Sequence, residues 1–140
     1  MKGFLIDTNV ISELIRPQPE PAVVAWVAGQ DAGLLYVSVL TLGELRKGIA
    51  AHPDPVRRLR IEAWVEATLR PWFEGRLLPV DEAVAARWGL LAVQAHVAGR
   101  PLPVLDGLLA ATALHHDLTL VTRNIAHVHA TGVAYHCPWP

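Results

Sequence analysis

The sequence predicts an α/β fold, in which a mostly parallel β-sheet of about five strands carries helices on both faces. Short apolar runs alternate along the chain with longer segments of helical period, which is typical of parallel sheets. The 140 residues are 52% hydrophobic and 18% charged, which favours a folded globule and excludes a disordered tail. We find no repeat, linker or low-complexity tract and interpret residues 1–140 as one domain.

Five short apolar runs are the candidate strands. They are rich in Leu, Ile and Val and are bounded mostly by residues that favour turns or helix starts. They occupy residues 3–6, 34–39, 77–80, 119–122 and 133–136. Because longer segments separate them, these strands are expected to be connected by crossovers and to pair in parallel.

Five segments between the strands are predicted helices. Four occupy residues 8–15, 40–51, 54–69 and 107–116, and the fifth begins at Asp81 and ends before Gly99 and Pro101. In the clearest one, residues 54–69, the side chains of Trp64, Val65 and Leu69 share one stripe. Pro71 is expected to end this helix, and the prolines at positions 17, 19 and 21 predict a turn between helices.

Charge and hydropathy exclude several classes of protein. Twelve Lys and Arg against thirteen Asp and Glu give a formal charge of -1, so phosphate attraction must be local. The single cysteine, Cys137, forms no intrachain disulfide, which suits a reducing compartment. No signal peptide is evident, and no apolar run approaches the roughly 20 residues of a membrane span. We expect a soluble, cytoplasmic protein without membrane contact.

Four oxygen-bearing side chains follow candidate strands or apolar runs. Asp7 and Asn124 come after the first and fourth strands, Asp106 follows a Pro-Val-Leu run, and Glu44 lies one or two turns beyond the second strand. The carboxyl ends of parallel strands meet at one edge of a sheet, so these side chains are expected to converge there. Asp117 precedes its strand and is expected at the opposite edge.

An acidic pocket of this kind suits a hard divalent cation. Mg²⁺ and Mn²⁺ prefer oxygen ligands, and Mg²⁺ typically takes one or two carboxylates together with waters and a substrate phosphate. Such a cation can activate water for phosphodiester hydrolysis. A histidine-based metal centre is not expected, because neither His115 with His116 nor His127 with His129 shares a helical face.

Each acid also has a structural interpretation. Asp7 and Asp106 both precede predicted helices and can act as N-caps. Glu44 forms a Thr-x-x-Glu capping-box pattern with Thr41, or it can pair with Lys47 on a solvated helix face. Spacing taken alone favours these structural roles, so the residues by themselves support an acidic pocket only as a hypothesis.

Several motifs resemble those of PIN-domain proteins of the VapC toxin family. The matching segments, in family order, are FLIDTNVISE at residues 4–13, ELRKG at 44–48, DGLLAATA at 106–113 and VTRN at 121–124. The segments RPQP at residues 16–19 and VVAW at 23–26 are similar to the FitB-like subgroup. Together the matches span nearly the whole chain.

The resemblance implies a PIN-like fold and a Mg²⁺-dependent ribonuclease that is the toxin of a type II toxin–antitoxin system, with Mn²⁺ as a possible substitute. It implies that Asp7, Glu44 and Asp106 are the catalytic, metal-binding acids. Thr8 and Asn9 match positions that support the first of these acids, Asp7, by hydrogen bonding. Asn124 departs from the family, because many relatives carry a fourth acid there. An amide can still assist as a ligand or orient a water, so we predict one tightly held metal.

The resemblance also implies partners. A small cognate antitoxin is expected to block the site and to bring DNA to the complex through its own binding domain, and the toxin is expected to form a homodimer. Trp64 and its stripe are interpreted as core or as part of a groove for an antitoxin helix. Five cations are candidates for contacts with RNA phosphates because they flank the predicted edge of the sheet. They are Arg16, Arg46, Lys47, Arg100 and Arg123.

Three other functions remain as alternatives. A phosphatase with an aspartyl nucleophile commonly has a second Asp two residues after the first, where this chain has Asn9. A receiver-like domain needs a Lys after a late strand, and none follows residues 133–136. A catalytically weakened PIN-fold binding module is the third alternative, because Asn124 removes one acid.

Overall fold

Five parallel strands form the sheet of the computed structural model, which describes residues 2–140, in the order β3-β2-β1-β4-β5. The strands are β1 (Phe4–Ile6), β2 (Leu35–Ser38), β3 (Leu77–Leu78), β4 (Thr119–Val121) and β5 (Tyr135–His136). Each lies within a run predicted from the sequence. The order puts β1 at the centre, so the loop after β1 reaches the middle of the sheet's carboxyl edge.

Eight α-helical segments connect the strands. They are α1 (Thr8–Leu14), α2 (Pro21–Ala28), α3 (Val39–Ala51), α4 (Pro55–Trp64), α5 (Arg70–Trp72), α6 (Glu82–Val97), α7 (Val104–His116) and α8 (Ile125–Val128). A wide helical turn at Val65–Leu69 joins α4 to α5. Within residues 2–140, no helix is both long and apolar enough to cross a membrane.

The sheet has a hydrophobic core on each face, as the predicted α/β class requires. Phe4 and Ile6 of β1 belong to the core under α1 to α5, whereas Leu5 belongs to the core under α6 and α7. Successive side chains of a strand point to opposite faces, so β1 contributes to both cores. The prediction of a parallel sheet with helices on both faces is confirmed.

Two expectations about helix boundaries were wrong. Pro71 does not end the helix that contains Trp64, since helical backbone continues to Trp72. The wide turn at Val65–Leu69 changes the hydrogen-bond spacing just before Pro71, which lacks an N–H donor. In addition, Pro21 starts α2, a helix absent from the prediction, because proline fits the first position of a helix.

The predicted helix at residues 107–116 begins three residues earlier than expected. Pro103 is the residue before α7, and Val104 is its first helical residue. Asp106 therefore lies inside the first turn of α7. The helix still places Asp106 at the carboxyl edge of the sheet, because α7 begins there and runs back along the sheet to β4.

Candidate active site

One open cleft lies at the carboxyl edge of the sheet and has a volume of about 390 Å³. Its walls come from the ends of β1 and β4 and from α1, α3 and α7. It is lined by Asp7, Thr8, Asn9, Ser12, Glu13, Arg16, Glu44, Leu105, Asp106 and Asn124. The structure thus brings the three acids proposed from the sequence, and Asn124, into one cavity. Asp117 lies at the opposite edge and pairs with Lys2.

Asp7 is a buried acid of the cleft, with only 4% of its surface exposed. It caps α1 by accepting a hydrogen bond from the backbone N–H of Thr8 at 2.6 Å. The hydroxyl of Thr122 donates to Asp7 Oδ2 at 2.7 Å, and Asn9 Nδ2 donates to the same oxygen at 3.3 Å. Asp7 is therefore both a helix cap and a wall of the cleft.

The electrostatics of Asp7 are unfavourable in the free protein. Burial raises the pKa of Asp7 from 3.8 to about 6, although hydrogen bonds from Thr122 and Thr8 oppose the shift. The negative charges of Glu44 and Asp106 contribute to the same upward shift of the pKa, as smaller causes than burial. A divalent cation in the cleft would reverse the effect, because it would stabilise the charged form of each carboxylate.

Glu44 points toward the cleft from the second turn of α3. Thr8 Oγ1 donates a hydrogen bond to Glu44 Oε1 at 2.6 Å and lies 3.2 Å from Thr41 Oγ1. The predicted capping box was wrong, because α3 begins at Val39 and the hydroxyl of Ser38 caps it. Thr41 instead lies buried within the helix.

Asp106 occupies the first turn of α7 and contacts a histidine. Its Oδ2 lies 2.7 Å from Nδ1 of His127, which belongs to α8. Asp106 does not cap α7, because that position belongs to Pro103. The position of Asp106 depends on close helix packing: a Cβ on the neighbouring Gly107 would lie 2.9 Å from the ring of Trp88.

A polar network connects β4 to the loop after β1. Asn9 Oδ1 accepts a hydrogen bond from the backbone N–H of Arg123 at 3.3 Å. The backbone N–H of Asn124 donates to Thr122 Oγ1 at 3.0 Å, and that hydroxyl in turn holds Asp7. Asn9 and Thr122 thus fix the segment that presents Asn124 to the cleft.

The donors of the cleft suit a hard cation. Within residues 2–140, no three His, Cys, Asp or Glu side chains are gathered closely enough to bind a metal together. Mg²⁺ does not need such a cage, since it usually binds one or two carboxylates directly and keeps several waters. The open cleft, its carboxylates and the raised pKa of Asp7 therefore fit a hydrated Mg²⁺ ion.

Comparison with known proteins decides the family. The PIN-domain family model matches residues 4–132 of this chain. The chain belongs to the PIN-domain family. Toxin FitB of Neisseria gonorrhoeae is 40% identical over 97% of this chain and 98% of FitB. VapC ribonuclease Y4jK of Sinorhizobium fredii is 38% identical over 97% of both chains. The resemblance inferred from the motifs is confirmed.

Solved structures agree with this assignment of the PIN domain. The chain superposes on the structure of FitAcB from Neisseria gonorrhoeae with a TM-score of 0.94 at 40% identity, covering 97% of this chain and 98% of that one. The structure of FitAB bound to an IR36 DNA fragment gives a TM-score of 0.93 at 38% identity, covering 98% and 96%.

The five candidate cations of this PIN domain fall in different places. Arg16 lines the cleft, and Arg123 is exposed in the loop beside it. Arg46 pairs with Glu62 and Glu66 of the neighbouring helical segment, which engages its charge away from the cleft lining. Arg100 lines a separate cavity next to His127. Lys47 is exposed on α3 and does not line the cleft.

Sequence reasoning missed the two polar residues Thr122 and His127, which contact acids of this PIN-domain site. Thr122 is fully buried and donates to Asp7, and His127 contacts Asp106. Thr122 ends a predicted strand just before Asn124, so its position was a usable signal. His127 had none, because only the packing of α8 against α7 brings it to an acid 21 positions earlier.

Proposed function

We propose that this PIN-domain protein is a Mg²⁺-dependent endoribonuclease and the toxin of a toxin–antitoxin pair. The observation that carries the proposal is the open cleft that holds Asp7, Glu44 and Asp106 together at the carboxyl edge of the sheet. The kinship with VapC ribonuclease Y4jK supports the same activity, and VapC ribonucleases are generally metal-dependent. Mn²⁺ is expected to replace Mg²⁺ because it prefers the same oxygen ligands.

The chain's own residues divide the work of the site. Asp7 and Asp106 are proposed to hold the metal, and Glu44 is proposed to act in the same cleft, either as a ligand or by holding a water. Thr122, Asn9 and the Thr8 backbone keep Asp7 in place. When bound, the metal supplies a Lewis acid that polarises the scissile phosphate and lowers the pKa of a water.

Asn124 sets the expected number of metal ions. Because this position carries an amide, we expect isothermal titration to find one tight Mg²⁺ site per chain in the free protein. Asn124→Asp adds a carboxylate at the rim of the cleft and is expected to tighten Mg²⁺ binding or add a second site. Two equally tight sites in the unmodified protein would contradict this prediction.

Metal-dependent cleavage is the test of the proposed function. Purified protein, free of antitoxin, is expected to cleave structured RNA with Mg²⁺ or Mn²⁺, to stop with EDTA and to recover when Mg²⁺ is restored. Glu44→Gln keeps the size of the side chain and its acceptor oxygen for Thr8 but removes the charge. We expect this variant to lose at least about tenfold in kcat, the equivalent of 1.4 kcal/mol in the barrier.

The outcomes separate the remaining candidates. Cleavage that persists in EDTA would contradict the metal-dependent proposal. Normal activity of Glu44→Gln would restrict Glu44 to a structural role. If the protein binds RNA and its antitoxin but does not cut with either metal, the binding-module alternative that Asn124 suggests replaces the nuclease.

Two surfaces support the proposed partners. A groove of about 210 Å³ between α1 and α4 is lined by Leu14, Ile15, Arg57, Arg60, Ile61 and Trp64, and suits an antitoxin helix. Trp64 also packs against the core, which supports the core interpretation of its stripe, and its place in the groove supports the proposal of an antitoxin contact. Leu90, Val93 and Val97 form an exposed apolar face on α6, which supports a homodimer. DNA contact through the antitoxin and a cytoplasmic location complete the proposal.

A further inference from the structure

A second cavity opens beside the acid-lined cleft and shares a wall with it. It has a volume of about 430 Å³. It is lined by Glu13, Arg16, Gln18, Pro19, Glu20, Pro21, Arg123 and Trp139. Glu13 and Arg16 line both cavities, so a chain-like ligand that leaves the acidic cleft along this wall passes directly into the second cavity.

Arg123 and Trp139 form a stacked pair in this cavity. Cζ of Arg123 lies over the indole of Trp139, 5.1 Å from the ring centroid. Arg123 is exposed, whereas Trp139 is half-buried and packs against the core. The backbone N–H of Arg123 is bound to Asn9, which also donates to Asp7. The backbone of Arg123 is therefore tied to the segment that carries Asp7.

Glu13 supports the wall between the two cavities through its hydrogen bonds. Its carboxylate is only 4% exposed and accepts hydrogen bonds from the backbone N–H of Glu20 at 2.9 Å and from Arg16 at 3.1 Å. These contacts keep the pKa of Glu13 low, with the Glu20 N–H as the largest cause, followed by Arg16 and the indole of Trp139. Glu13 therefore holds Arg16 at the boundary between the two cavities.

We propose that the second cavity binds one unpaired nucleotide of the RNA, adjacent to the phosphate positioned in the acidic cleft. The inference rests on the proposed ribonuclease function and adds a substrate subsite to it. The base stacks on the Arg123–Trp139 pair, and the guanidinium groups of Arg16 and Arg123 contact the flanking phosphates.

The chemistry of the cavity selects an unpaired nucleotide. Proteins recognise single-stranded RNA by stacking splayed bases on aromatic rings or guanidinium planes, and a base inside a duplex cannot reach such a surface. The lining carries two arginines and two acids, so its formal charge is zero, and contact with phosphates depends on the guanidinium groups of Arg16 and Arg123 rather than on net charge. The carboxylate of Glu13 is already engaged by Arg16, and Glu20 is the other acid on the wall.

Binding to the full chain tests the subsite without catalysis. Protein labelled with ¹⁵N is titrated in EDTA with a single-stranded RNA hexanucleotide, and the same sequence within a duplex is the control. The indole resonance of Trp139, assigned with Trp139→Phe, is expected to shift with the single strand and not with the duplex. The indole of Trp72, which is exposed and lies outside both cavities, is the internal control.

Cleavage kinetics give the second readout. Arg123→Ala is expected to raise KM for single-stranded RNA about tenfold with kcat within about twofold, because base stacking contributes to binding and not to the metal-assisted step. Trp139→Phe retains a ring for packing and is expected to raise KM less. Arg87→Ala removes an exposed arginine of α6 and is the matched control, with unchanged kinetics expected.

The outcomes are distinct from failure of the nuclease proposal. If the wild-type protein does not cut RNA with Mg²⁺, the proposed function fails, and the titration in EDTA still decides the subsite. If the protein cuts RNA, but the Trp139 resonance does not move and Arg123→Ala behaves like Arg87→Ala, the subsite is overturned. An equal shift with duplex RNA would also overturn it.

Discussion

Replacing Asp7 by Asn is expected to lower kcat for RNA cleavage by at least about 10³-fold while the protein stays folded. Asp7 is the buried acid at the end of the central strand, and metal-assisted phosphate hydrolysis depends on charge that an amide does not supply. Asn can still accept the Thr8 hydrogen bond that caps α1. Single-turnover cleavage with Mg²⁺, together with circular dichroism, measures both effects.

Asp117→Asn is the matched control for Asp7→Asn. Asp117 is the exposed acid before β4, at the opposite edge of the sheet, where it pairs with Lys2. Its replacement removes the same charge from the chain without touching the cleft, so kcat is expected to stay within about twofold of wild type. Undiminished cleavage by Asp7→Asn would show that a different site, or a contaminating nuclease, cuts the RNA.

The second large effect concerns stability without metal. Because burial raises the folded-state pKa of Asp7 to about 6, the folded protein binds a proton more tightly than the unfolded chain. The contribution of Asp7 to the free energy of unfolding is therefore greatest below pH 4 and is lost as the pH rises to about 6. The shift from 3.8 to about 6 corresponds to a loss of up to about 3 kcal/mol.

Urea denaturation in EDTA measures this stability effect. At pH 7, Asp7→Asn is expected to be more stable than wild type, and the gap is expected to narrow as pH falls toward 4. Mg²⁺ is expected to stabilise the wild-type protein at pH 7 and to have little effect on Asp7→Asn, because a ligand that binds only the folded state raises its stability. Parallel pH profiles for the two proteins would contradict the prediction.

These two predictions describe one trade-off. Asp7 is buried among other acids, which costs stability in the free protein and prepares the cleft for a cation. Glu44 and Asp106 add to the same repulsion. A variant can therefore be less active and more stable at once, which a purely structural role for Asp7 as a helix cap does not explain, because loss of a cap lowers stability.

The fold and the edge that carries the site were predictable because they depend on local patterns. Each strand lies within an apolar run, and Asp7 and Asn124 follow strands that end at one edge. Asp106 was expected just before a helix at residues 107–116 and instead lies within its first turn, because α7 begins at Val104. Its place in the cleft does not depend on this boundary, because the start of α7 and the strand ends share the same edge.

Other features depend on tertiary contacts that periodicity does not report. The helical stripe of α3 leaves Glu44 on its polar side, and only the packing of α3 against α1 turns that side toward Thr8 and the cleft. His127 reaches Asp106 in the same way, through the contact of α8 with α7. The sequence analysis placed Pro21 in a turn, whereas Pro21 begins α2. Proline is found both after the end of one helix and at the start of the next, so its presence alone does not distinguish the two.

A crystal of this protein soaked in Mn²⁺ gives the most direct test of the metal site. The anomalous difference map is expected to show one strong peak in the cleft, within about 2.0–2.3 Å of carboxylate oxygens of Asp7 and Asp106. The same peak is expected to disappear in crystals of Asp7→Asn. A cleft without a peak at saturating Mn²⁺, or a peak that Asp7→Asn leaves unchanged, would contradict the central claim.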